Sequence, residues 1–196
     1  MDLGLVAGSG WAAGLNVYAV VLVLGLLGRL TEAPIPDQLT TVPVLVLAGI
    51  GYVLEFVADK IPYIDNIWDM VHTVVRPVAA GWLGYLLAGE IDLQPMIGAG
   101  TSTLAALGAH STKATTRAAV NVSPEPVSNI GLSIFEDGLA AGMVMLAAAS
   151  PLLALIVVVI LLVGGVVLVV VLWRAIIRVV RRIRDRWARS PQRPAG

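Results

Sequence analysis

Two short stretches carry most of the chain's polar chemistry. In E-F-V-A-D-K-I-P-Y-I-D-N-I-W-D-M-V-H-T-V-V-R, residues 55–76, Asp65, Asp69, His72 and Arg76 follow at helical spacing, within roughly 60° of arc at 100° per residue. Glu55 and Asp59 share a face at i, i+4. A buried carboxylate must find a cation or take up a proton, and Arg76 or Lys113 would be the cation for Glu55. In H-S-T-K-A-T-T-R, residues 110–117, His110, Lys113 and Arg117 share one helical face, with Thr103 and Thr112 near enough to add hydroxyls. Two cations, a histidine and hydroxyls suit a phosphate or carboxylate group. A third group follows in S-N-I-G-L-S-I-F-E-D, residues 128–137, where Asn129, Ser133 and Glu136 recur at helical spacing. Glu136 and Asp137 fall inside an apolar segment, where ionisable residues default to a functional role.

Each pattern also has a plain structural explanation. The 65–76 stripe could be the solvated face of an interfacial helix, and Lys113 could be ordinary positive-inside charge. Glu55 could belong to an ion pair that only fixes packing. Asp65, Asp69 and His72 form D-x-x-x-D-x-x-H, a weak metal-site pattern, and nearby Lys60 and Arg76 favour paired carboxylates over ligands. No cofactor is expected.

These residues sit in a chain that is 58% hydrophobic and 13% charged over 196 residues, with a mean hydropathy of +0.87. That balance suits one domain whose exterior faces lipid. The net charge of zero conceals an asymmetry: residues 1–173 hold five Lys/Arg against twelve Asp/Glu, and residues 174–196 eight Arg against one Asp. With no cysteine, disulfides and thiolate metal sites are excluded. The first charge is Asp2 and the first basic residue Arg29, so the first apolar run reads as a retained helix rather than a leader.

The fold expected is all-α: a polytopic membrane bundle of about six transmembrane helices. The segments are Leu3–Gly28, Val42–Ala58, Ile64–Ala88 with Pro77 inside it, Pro95 to about Ala109, Ile130–Ala149 and Pro151–Trp173. The sixth is surest, since residues 152–173 run without a charge for the length of a hydrocarbon core. Pro62 should end the second helix and Asp65 cap the third. The positive-inside rule places the arginine tail, the 110–129 loop and the 59–76 region inside, and with six spans both termini are cytoplasmic. Residues 1–173 form the transmembrane domain and 174–196 a basic cytoplasmic tail helix. There Ile176, Val179, Val180, Ile183 and Trp187 make an apolar stripe, so the tail could lie on anionic lipids. A-G-S-G-W-A-A-G-L-N (7–16) and G-A-G-T-S-T-L-A-A-L-G (98–108) echo one another, as a 3+3 inverted repeat would require, although small residues at helix contacts explain them equally. Gly81 and Gly84 permit a homodimer.

The motifs E-F-V-A-D-K-I-P (55–62), D-N-I-W-D-M-V-H-T-V-V-R-P (65–77), S-T-K-A-T-T-R (111–117) and S-N-I-G-L-S-I-F-E-D (128–137) resemble a widespread bacterial family of small multi-pass membrane proteins of unknown function. The resemblance covers roughly residues 5–165 and leaves out the arginine tail. It implies an integral protein of the bacterial inner membrane and supplies no activity or catalytic residues.

The function expected is a transporter or translocator of a small polar or anionic substrate, a lipid phosphate head group among the options. Arg76, Lys113, Arg117, His72 and His110 would bind it. Glu55, Asp59, Asp69, Glu136 and Asp137 would exchange protons or ions. The alternatives are a membrane enzyme acting on phospholipids and a scaffold without catalytic activity. An enzyme ranks lower because only Arg76-Pro77 matches the blocks of lipid phosphatases, and no P-S-G-H is present. Nucleic acid is not an expected partner, since no reading module accompanies the basic tail.

Overall fold

A computed structural model describes residues 3–61, 64–120 and 126–188. Most of the described residues are helical and none forms a strand; the helices are α1 (Leu3–Leu30), α2 (Asp37–Thr40), α3 (Val42–Ala58), α4 (Ile64–Glu90), α5 (Pro95–Val120), α6 (Pro126–Ala149) and α7 (Pro151–Ala188). Proline opens α5, α6 and α7 and lies in the first turn of α3, where its missing N–H costs no intrahelical bond. After α4, Asp92 takes φ 52°, a left-handed turn that returns the chain into α5. The expected helix stop at Pro62, residues 121–125, the side chains of Val179, Ile183 and Trp187, and the end of the tail lie outside the described residues.

Large apolar side chains cover the outside. Val74, Val78, Leu104 and Val166 are exposed, whereas Glu55, Asp65, Arg76 and Arg117 are buried. This inverts a soluble protein's arrangement and marks a surface that meets lipid. Among the described residues, Leu3–Leu30, Asn129–Ala149 and Pro151–Arg182 are long and apolar enough to cross a membrane, and Val42–Ala58 is apolar but shorter.

One boundary differs clearly from expectation. The fourth segment does not stop near Ala109, because α5 continues to Val120. The cluster at 110–117 is therefore on a helix and not in a loop. Lys113, Arg117 and the alanines of that stretch favour helix, and its charges are held by neighbours instead of water. Pro77 lies within α4, which continues past it, and Thr103 Oγ1 donates to the Pro77 carbonyl at 3.3 Å.

The larger difference is in α1. Asn16 is extended, with φ −153° and ψ 98°, and the neighbours on either side of it show that the chain reverses there. A Cβ on Gly10 would collide with Ser102, and one on Gly14 with Ala106, so the first half of α1 runs in the same direction as α5. In the second half, Gly51 abuts Tyr18 while Gly25 abuts Leu39 and Leu45, so this half runs against α3. Gly84 against Gly98, Gly81 against Thr103 and Arg76 against His110 set α4 antiparallel to α5. The Arg76–Glu55 contact and the short link at 59–63 set α3 antiparallel to α4. Thus α3 and α5 are parallel, and the halves of α1 oppose one another. Each half is about 20 Å long at 1.5 Å per residue, less than a hydrocarbon core of about 30 Å.

The first segment is therefore a helical hairpin with Asn16 at its tip, and not one continuous span. Its start packs beside Pro151 and its end beside Ile35, so both ends lie with the 91–94 turn and Ser150. At the opposite end are the 59–61 turn and the extension of α7. The Gly- and Ala-rich sequence 7–14 allows this, since small residues let the hairpin backbone approach α5 and α6 closely. The two echoing stretches do meet face to face. They run the same way, however, whereas an inverted repeat would set them opposed.

Candidate functional site

Below the hairpin tip, α3 to α6 bring nearly every ionisable residue singled out in the sequence into one network. The stripe on α4 faces inward, with Asp65, Asp69, His72 and Arg76 all buried. Arg76 Nη2 donates to Glu55 Oε1 at 2.9 Å and Nη1 to Asp69 Oδ1 at 3.0 Å. Lys113 Nζ lies 2.9 Å from Asp59 Oδ2, 3.6 Å from Glu55 Oε1 and 3.7 Å from Glu136 Oε2. Arg117 donates to Asp65 Oδ1 and Asn129 Oδ1, each at 3.1 Å, to Asp59 Oδ2 at 3.2 Å, to the Asp59 carbonyl, and to both oxygens of Glu136. Arg76 and Arg117 are thus joined through Glu55, Lys113 and Asp59.

The histidines have fixed roles. An arginine N–H can only donate, so His110 Nδ1, 2.7 Å from Arg76 Nη1, must accept. The proton of His110 is then on Nε2, which donates to Thr73 Oγ1 at 3.0 Å. His72 Nδ1 donates to the Trp68 carbonyl at 2.8 Å, and its Nε2 lies 3.3 Å from the Tyr18 hydroxyl. Trp68 stacks on the His72 ring at 4.6 Å. With Nδ1 accepting, the His110 imidazole is neutral in this arrangement.

Asn16, which sequence reasoning did not assign to the site, connects the hairpin to the network. Its Oδ1 accepts from Ala19 N at 2.9 Å, capping the second half of α1, and its Nδ2 donates to Asp137 Oδ1 at 3.0 Å. The break also frees carbonyls of the first half, and Lys113 Nζ donates to that of Leu15 at 3.1 Å. One ammonium therefore holds both the hairpin tip and the carboxylates. The sequence signal was available: Asn16 is the one amide in an apolar stretch already rich in glycine.

Other expectations resolve differently. The hydroxyls of Thr103 and Thr112 bond to the carbonyls of Pro77 and Gly108, not to the cationic cluster. Asp65 is in the first turn of a helix already under way at Ile64, with its Oδ1 on Arg117. Asp65, Asp69 and His72 turn to Arg117, Arg76 and Tyr18, and no group of three or more metal-ligating side chains is assembled among the described residues. Lys60 lies at the network's edge, over the Phe56 ring and 3.4 Å from Ser133 Oγ. Burial pushes its ammonium pKa down, against the pull of Asp137 and Asp59.

The network has spare capacity on its acidic side. Six carboxylates (Glu55, Asp59, Asp65, Asp69, Glu136, Asp137) meet four cations (Lys60, Arg76, Lys113, Arg117). Glu55 Oε2, Asp59 Oδ1 and Asp137 Oδ2 are buried without a protein hydrogen-bond donor. Such an arrangement can exchange protons, and it can admit an anion wherever a carboxylate gives up its cation.

No curated protein and no solved structure matches this chain. One family match runs over residues 3–176, which takes in the hairpin, the whole ionic network and the first three residues of the arginine extension, and the chain belongs to that family, DUF4126, a domain of unknown function.

Proposed function

We propose that the protein is a proton-coupled membrane carrier for a small anionic group, with the α1 hairpin as its gate. The observation that carries this reading is the shared ammonium of Lys113, bonded at once to the hairpin tip and to the acidic network. Many carriers place discontinuous helices at a central binding site, and irregular backbone at membrane depth is tolerated only where protein buries it or it lines a water-filled cavity. An anion entering at Lys113 and Arg117 displaces Glu136 or Asp59. A carboxylate that loses its cation in a low-dielectric interior takes up a proton, so anion and proton travel together. Lys113 then relaxes its hold on Leu15 and the hairpin is free to move.

In this reading α3 to α7 cross the bilayer and the hairpin enters from the side opposite the arginine tail. The positive-inside rule puts that tail in the cytoplasm. Both ends of α1 then face outward, which replaces the six-span arrangement with two cytoplasmic termini. The ionic network occupies the cytoplasmic half of a bacterial inner-membrane protein.

The reading is tested in proteoliposomes loaded with a pH-sensitive dye. An imposed phosphate or carboxylate gradient should move protons in the same direction, and Glu136→Gln should abolish that coupling while the protein stays folded. A full set of such anions that moves no protons through the wild-type protein would sink the reading. In that case altered partner co-purification by the charge variants would favour a scaffold.

A further inference from the structure

A cavity of about 280 Å³ reaches the ionic network from the side, between α1, α5, α6 and α7. Its walls are hydrocarbon: Leu15 at the hairpin tip, Leu139 of α6, and Leu161 and Leu168 of α7. Its polar lining comes from Lys113 and Glu136, with Thr112 and Thr116 beside them. The opening lies where the backbones of α5 and α6 stand apart, and Phe135 and Leu168 at its rim are exposed on the lipid-facing surface.

Neither a purely polar nor a purely apolar ligand fits this lining. Water and small ions gain little against leucine walls. A plain hydrocarbon leaves a lysine and a glutamate without recognition. The contact between Lys113 and Glu136, at 3.7 Å, is also the longest ion pair of the network, and so the easiest for an incoming anion to open.

We propose that this cavity binds an anionic amphiphile entering sideways from the bilayer, its head at Lys113 and its hydrocarbon chain along the leucine wall. The volume is near the low end for ligand pockets, about 300 Å³, so it holds the head and the first part of the chain while the rest stays in lipid. As substrate, this amphiphile rests on the carrier reading; as a ligand it stands on the cavity alone. A phosphate or a carboxylate head satisfies the same chemistry.

Trp11 lines the cavity and serves as the probe. In the full chain carrying Trp68→Phe, Trp82→Phe, Trp173→Phe and Trp187→Phe, its fluorescence would be titrated with 12-bromododecanoate, 12-bromododecyl phosphate and 12-bromododecanol. Saturable quenching by one or both anions, at least about tenfold tighter than by the alcohol, is expected, and the preferred anion identifies the head. Inorganic phosphate alone should not quench. Filling the cavity with Leu139→Phe and Leu168→Phe should remove the saturable component, with thermal unfolding confirming that the variant folds. Quenching that fails to saturate, that is as strong with the alcohol, or that survives the filled cavity would overturn the proposal. Saturable quenching without amphiphile-driven proton movement would leave the site standing and remove the carrier reading. Proton movement driven by inorganic phosphate, with no saturable quenching, would do the reverse.

Discussion

Arg117, like Lys113, holds three carboxylates at once. It contacts Asp59, Asp65 and Glu136 while being almost wholly buried. Removing one partner of a buried ion pair strands the others without water, at about 3–5 kcal/mol. Arg117→Ala should lose stability on that scale in denaturant unfolding, and adding Glu136→Ala should recover part of the loss. A silent Arg117→Ala would mean that the carboxylates are neutral already. Asn16 allows a sharper comparison. Asn16→Ala loses a helix cap worth about 1 kcal/mol and one bond to Asp137. Asn16→Asp keeps a capping oxygen but sets a carboxylate against Asp137, so it should be the more damaging near neutral pH and should recover as the pH falls. Equal unfolding midpoints for the two variants at every pH would refute this account of the tip. At this scale the sequence was informative, because helical spacing alone groups Asp65, Asp69, His72 and Arg76, and separately His110, Lys113 and Arg117. It could not show that the groups interlock. Side-chain pairing across four helices depends on rotation and depth that spacing within one helix does not contain.

At the scale of elements, the hairpin is the feature that hydropathy conceals. An apolar stretch of 28 residues has the same composition whether it crosses a membrane or folds back within it. The difference lies in one extended residue and in where Gly10 and Gly14 find their neighbours. The chain has no cysteine, so single introduced cysteines report position without background. Leu3→Cys, Leu30→Cys and Gln94→Cys should all react with an impermeant thiol reagent from the same side, and Ile61→Cys and Arg184→Cys from the other. Labelling of positions 3 and 30 from opposite sides would show a straight α1. The end of α5 was misjudged for a related reason. A run of charge and threonine after an apolar segment normally marks a helix leaving the membrane, but here partners on α3, α4 and α6 hold the charges inside.

For the whole molecule, the chain's two charge populations have separate tasks. The inner population is paired, and the outer one is the exposed arginine row along α7. At 38 residues, α7 is about 57 Å long, nearly twice a hydrocarbon core, so its arginines extend past the bundle. They should set orientation and hold anionic lipid rather than act on substrate. Replacing Arg178, Arg181, Arg182 and Arg184 by glutamine should weaken attachment to anionic vesicles and scramble orientation, read by a reporter fused after residue 196. Proton coupling per correctly oriented molecule should stay unchanged. Loss of coupling at unchanged orientation would place the row in the transport cycle. The all-helical class and the membrane setting were legible from composition and apolar run length, since both are bulk properties of the chain.

The first half of the hairpin is shaped almost entirely by helices that the ribosome has not yet made when α1 emerges. Gly10 and Gly14 are matched to α5, Gly8 to α6 and α7, and Asn16 to α6. Although made before these partners, α1 is therefore among the last segments to settle. Nascent α1 should enter the bilayer as an ordinary anchor and fold back only once α5 to α7 have arrived. A nascent chain arrested before α6 should expose Leu3 on the side opposite to that seen in the finished protein.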